Sequence, residues 1–143
     1  MRTALLTGVA LVAVAIYANT AAASDCASKD KQAKLSEVSV EQLASLIGKK
    51  KVTVIDASGT DTRTEYGVIP GASLLTSSRE YAMSELPKDR DANLVFYCGG
   101  PMCSAAPKAA KRAVGAGYTQ VSVLEAGIKG WVEAGQPVSK PQA

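Results

Sequence analysis

Cys98 closes a compact apolar run, Leu94-Val-Phe-Tyr97, and opens a loop reading Gly99-Gly-Pro-Met-Cys103 ahead of an alanine-rich stretch. A strand that delivers a thiol to a glycine-bearing loop at a helix N-terminus sets up anion chemistry, because loop amides and the helix end both favour negative charge. Such surroundings lower a thiol below its free pKa of about 8.5 and raise the fraction of thiolate, which is the nucleophile. Gly99 and Gly100 are expected to supply unusual backbone angles and room for a ligand. Ser104 is expected to cap the following helix, where Pro107 at the third position lacks only an N–H that would be unpaired anyway. A cysteine at a strand end can also be an inert small apolar side chain. The flanking glycines and the cap favour the functional reading.

The chain has no histidine, which excludes histidine-based triads, Cys-His proteases, HExxH metal sites and histidine phosphotransfer. Chemistry must come from Cys, Asp, Glu, Lys, Arg, Tyr or backbone amides. The candidate substrate contacts around the Cys98 nucleophile are Gly99, Gly100, Met102, Cys103 and Ser104, with Asp56 and Lys108 as accessory residues. Cys103 admits several readings: it resolves a Cys98 persulfide, forms a regulatory disulfide with Cys98, joins Met102 and Cys98 in a soft site suited to Cu(I), or has no role of its own. Three cysteines cannot all pair within one chain, and a Cys26–Cys103 bridge that leaves Cys98 free is also open.

The elements that must position these groups follow from pattern. Val52–Ile55, Leu94–Tyr97 and Val121–Leu124 are nearly continuous apolar runs, as strands covered on both faces should be. Ser39 with Gln42 three residues on resembles a capping box for a helix carrying Val40, Leu43, Ala44, Leu46 and Ile47, closed by Gly48. Helical stretches at Ala105–Ala113 and Ile128–Ala134 alternate with the strands, so the fold class is α/β, with a largely parallel central sheet and helices on both faces. Functional groups of such sheets gather beyond the carboxyl ends of the strands, where Asp56, Cys98 and Glu125 fall. Trp131 reads as core, Asp56 as a capping carboxylate, and Lys49, Lys50 and Lys51 as a solvated turn.

Arg2, an uncharged apolar run from Thr3 to Ala18 and Ala21-Ala-Ala23 form a leader with an A-x-A signal, so cleavage is expected after Ala23 and the protein is expected to be exported, periplasmic or secreted, with no membrane span afterwards. Asp25 beside Cys26 fits lipoprotein processing badly. Residues 24–34 read as a flexible lead-in, 35–138 as one domain and 139–143 as a tail. Net charge is +3, and loss of Arg2 lowers it by one, too little for a nucleic-acid footprint.

The strand, cysteine, short loop and helix at Leu94–Ala113 are similar to the active-site loop of the rhodanese family. GVIPGA at Gly67–Ala72 resembles that family's GHIPGA, with Val68 in place of histidine, and Asp56 matches the aspartate that opens its DVR motif, though Ala57 and Ser58 follow. GYTQVSVLEAGIKGWVEAGQPV at Gly117–Val138 resembles the C-terminal signature GY-x-x-V, L-x-GG-x-x-x-W-x-x-AG-x-P, and the resemblance runs from Leu35 to Val138. It implies a single rhodanese-like domain in which Cys98 takes sulfane sulfur from a donor such as thiosulfate and passes it, through a persulfide, to a thiol or cyanide. No cofactor and no metal are implied, and a partner protein is compatible. Many members carry a loop cation for the donor's oxygens. Met102 stands in its place here, which leaves loop amides with Lys108 or Arg79. The related phosphatases need C-x5-R, and the arginine position is Ser104, so the phosphoryl clamp is missing. The competing readings are a non-catalytic sulfur carrier or binding module on the same fold, and a thiol-disulfide or Cu(I)-handling protein using Cys98 and Cys103.

Overall fold

The computed structural model describes residues 35–141, so the leader, the lead-in and Cys26 lie outside the described residues. In chain order the elements are β1 (Ser36–Glu37), α1 (Val40–Gly48), β2 (Thr53–Asp56), α2 (Thr60–Tyr66), β3 (Ser73–Leu74), β4 (Asn93–Tyr97), α3 (Ala105–Gly115), β5 (Gln120–Leu124) and α4 (Gly127–Glu133). The strands form one sheet in the order β1-β5-β4-β2-β3, and every pairing is parallel. The α/β class and the parallel sheet therefore stand as expected.

Central β4 explains why its run is apolar without a break. Leu94 and Phe96 pack, with Cys98 one step beyond the strand, against Ala106, Ala109, Ala110 and Ala113 of α3. Val95 and Tyr97 face the opposite side, toward Val40 and Leu43 of α1 and Ile128 and Trp131 of α4. The period-2 alternation of a strand thus feeds two cores, one on each face. The α3 alanines recur at helical spacing, and their small side chains let that helix lie close to the sheet. Trp131 is buried, and its indole N–H donates to the Pro137 carbonyl at 2.8 Å. The segment read as a tail is tied down at its start, since Val68 and Ser139 exchange two backbone hydrogen bonds of 2.9 Å.

Local signals held where they were specific. Ser39 and Gln42 form the reciprocal capping box. Lys50, in the exposed lysine turn after α1, has φ 52° and is the described non-glycine residue in the left-handed region. Elements without an apolar imprint were silent in sequence: α2 reads TDTRTEY and buries no residue fully, and β1 and β3 have two residues each.

Two core tyrosines make the fold sensitive to alkali. Burial pushes the Tyr81 phenol from 10.0 up to about 12, and burial together with the nearby Asp56 carboxylate pushes Tyr97 higher still. Both phenols ionise near their ordinary value once unfolded, so the unfolded chain releases protons that the native chain keeps. Their contribution is complete below about pH 10 and is lost as pH rises above it. Urea midpoints measured from neutral pH to about pH 11 should fall steeply at the alkaline end. A flat profile there would refute the linkage.

Candidate active site

Register places the site. Asp56, Tyr97 and Leu124 lie side by side on β2, β4 and β5, so the next residues, Ala57, Cys98 and Glu125, emerge together past the carboxyl ends. Cys98 is 2% exposed. Its loop is fixed from the far side by the start of α4, where the amides of Ile128 and Lys129 donate to the carbonyls of Cys98 and Gly99 at 2.8 and 3.1 Å. Within the loop the Cys103 amide donates to the Gly100 carbonyl at 2.9 Å.

Close approach of α4 to the loop requires Gly127. Its φ is +60°, and a Cβ there would lie 2.5 Å from both the Cys98 carbonyl oxygen and the Gly100 nitrogen. Beside the loop, the position that only glycine can fill is therefore this one. Gly99 and Gly100 have no positive φ, and a Cβ on either would meet its neighbours at ordinary contact distance, which corrects the expectation of unusual backbone angles in the loop itself. The amides of Gly99, Gly100 and Met102 make no hydrogen bond among the described residues.

The loop borders a cleft of about 350 Å³ lined by Gly99 to Cys103, by Thr62, Glu65 and Tyr66 of α2, and by Lys129 of α4. Lys129 Nζ lies 5.3 Å from the centroid of the Tyr66 ring, a cation–π contact that holds an ammonium at the cleft wall. A smaller crevice of about 20 Å³, bordered by Cys98, Cys103 and Glu125, has room for about one water. Cys98 and Cys103 are joined as a disulfide. Cys98 Sγ is 3.4 Å from the Cys103 carbonyl oxygen, the acceptor a reduced thiol would find.

Other candidate residues fall elsewhere. Ser104 does not cap α3 with its side chain: its φ of −88° and ψ of 1° lie in the bridge region rather than the extended region of a capping residue, and its hydroxyl accepts from Lys108 Nζ at 2.9 Å. Both side chains are thus engaged with each other on the exposed helix start, and neither lines the cleft. Met102 stands at the rim, 99% exposed, so it does not converge with Cys98 and Cys103 on a soft-metal site. Cys103 bonds Cys98, and Cys26 lies outside the described residues.

Asp56 is fully buried and spent on structure. Its Oδ1 accepts from the Ser58 amide at 2.6 Å, and its Oδ2 accepts from the Tyr97 hydroxyl at 2.8 Å. Arg63 Nε stands 3.4 Å from that same Oδ2, while its guanidinium donates to the carbonyls of Asp56 and Leu75. This pair ties α2, one wall of the cleft, to the end of β2. Sequence reasoning missed Lys129, Thr62, Tyr66 and Arg63. Only the Lys129 position, inside the GIKGW motif two residues past Gly127, carried a signal that could have pointed to the site.

Comparison with known proteins agrees with this geometry. No curated protein matches the sequence. Among solved structures, BH2092 from Bacillus halodurans superposes with a TM-score of 0.63 at 23% identity, covering 73% of this chain and 76% of that one. The 3-mercaptopyruvate sulfotransferase of Escherichia coli gives 0.62 at 24%, over 76% of this chain and 52% of that one. The human single-domain sulfurtransferase gives 0.55 at 23%, over 68% and 95%. At these identities the likeness speaks to the fold alone. The model of the rhodanese-like domain matches residues 39–134, and with the parallel sheet, the β4 cysteine loop and the α4 buttress in place, the chain belongs to the rhodanese-like domain family.

Proposed function

We propose that the protein is a sulfurtransferase in which reduced Cys98 accepts sulfane sulfur from an anionic donor such as thiosulfate and hands it, from a persulfide, to a thiophilic acceptor. The observation that carries this reading is the placement of Cys98 at the end of the central strand, under a loop with three uncommitted amides beside a lysine-walled cleft. In the first step the Cys98 thiolate attacks the outer sulfur of thiosulfate, the S–S bond of the donor breaks, and sulfite leaves with the bonding pair. In the second, cyanide or a thiolate takes the outer sulfur and returns the Cys98 thiolate. The leader pattern of residues 1–23 supports placing this chemistry in an exported protein.

Intact mass of the reduced protein after thiosulfate exposure tests the reading on a variant lacking Cys103: a gain of one sulfur, lost on adding cyanide, supports it. No gain on a folded, reduced protein refutes it.

Lys129 supplies the cation that the loop lacks. Its charge sits on an exposed side chain, so water screens it and the expected contribution is modest. Lys129→Gln should raise the thiosulfate KM by about threefold, and Lys129→Arg should restore it. An uncharged trisulfide donor should show no such rise. Equal effects on charged and uncharged donors would remove Lys129 from donor binding.

A further inference from the structure

The two bonded sulfurs are unequal. Cys98 is 2% exposed and does not border the 350 Å³ cleft, whereas Cys103 is half-buried and does. Their Cα atoms are 6.4 Å apart, a separation at which a disulfide forms without backbone movement. The turn closed by the Cys103 amide on the Gly100 carbonyl holds Cys103 at this reach. Simple transfer to cyanide has no use for a second sulfur bonded to the nucleophile.

We infer that Cys103 is a second catalytic residue, which resolves the Cys98 persulfide so that the transferred sulfur leaves as sulfide. The inference rests on the sulfurtransferase reading of Cys98. The Cys103 thiol gives up its proton to solvent, and its thiolate attacks Cys98 Sγ. The Sγ–Sγ bond forms as the bond from Cys98 Sγ to the outer sulfur breaks, and the outer sulfur leaves as hydrosulfide with the bonding pair. The sulfane sulfur is reduced by two electrons, and the two cysteines are oxidised to the disulfide.

The next turnover needs a dithiol reductant. Its first thiolate attacks Cys103 Sγ, the sulfur bordering the cleft, and expels the Cys98 thiolate; its second thiol then frees Cys103 and closes the reductant's own disulfide. Thiosulfate and a dithiol thus become sulfite, sulfide and an oxidised dithiol. The disulfide is an intermediate of this cycle, and the buried nucleophile is the group that reduction releases.

The test is a single turnover with the reduced protein, freed of reductant without air and given thiosulfate but no cyanide or thiol. The expected products are one sulfite and one sulfide per chain, with a protein mass lower by two hydrogens and a new peptide link between Cys98 and Cys103. Cys103→Ser should release sulfite, keep the added sulfur on Cys98 and lose sulfide release to background. A wild-type protein that keeps the added sulfur, on Cys98 or on Cys103, and releases no sulfide overturns the inference while leaving the sulfurtransferase reading standing. Sulfide release undiminished in Cys103→Ser overturns it as well. If neither protein releases sulfite or gains sulfur, the sulfurtransferase reading has failed and this inference falls with it.

Discussion

Cys98→Ser is expected to fold and to transfer no sulfur, with cyanide-dependent thiocyanate production falling to background, a loss of about 10⁴-fold or more. A serine hydroxyl is not ionised at neutral pH and cannot carry a persulfide, so the change removes the reaction and not a portion of it. The side chain is buried against α3, where exchanging sulfur for oxygen leaves volume and shape nearly intact. The comparison belongs under reducing conditions, because in the oxidised protein the variant also loses the Cys98–Cys103 bridge, and a disulfide contributes stability of its own. Thiocyanate formation that survives the substitution would move the nucleophile elsewhere in the chain.

Asp56→Ala is expected to be the most destabilising single change near the site, lowering unfolding free energy by about 3–5 kcal/mol. It strips the ion partner from Arg63, whose side chain is only 14% exposed, and removes the acceptors of the Tyr97 hydroxyl and the Ser58 amide. Three donors are left at a buried position, and each lost partner costs more than the hydrogen bond itself contributed. Asp56→Asn, which keeps an acceptor oxygen, should fall between. Urea unfolding read as a shift in midpoint at unchanged slope measures the effect. A loss under about 1 kcal/mol for Asp56→Ala would mean that water reaches Arg63 and that the pair does not anchor α2.

The residues that could be read ahead of the structure are those whose environment leaves a local trace. β2, β4 and β5 are covered on both sides and so became nearly continuous apolar runs, while α1, α3 and α4 carry one-sided patterns because one face of each meets the sheet. α2 left no such trace, since its TDTRTEY residues are held by Arg63 reaching the β2 end and by the loop it walls, not by an apolar stripe. Ser104 was misread for a related reason: a serine before a helix is a common cap, but Lys108 one turn on competes for its hydroxyl.

Cys98 could be read as the candidate nucleophile because its position is local, one residue past a strand and ahead of a helix. Its surroundings are not local. Lys129 reaches the cleft only because α4 folds back under the loop, and Gly127 is required only because backbone from position 98 to 100 passes within contact of it. The pairing of Cys103 with Cys98, left open among several readings of three cysteines, follows from the turn that sets their Cα atoms 6.4 Å apart. Apolar burial writes a periodicity into the chain and can be read back from it. Contacts between distant segments depend on where parallel strands end and which helices pack beside them, and no single stretch of sequence records that.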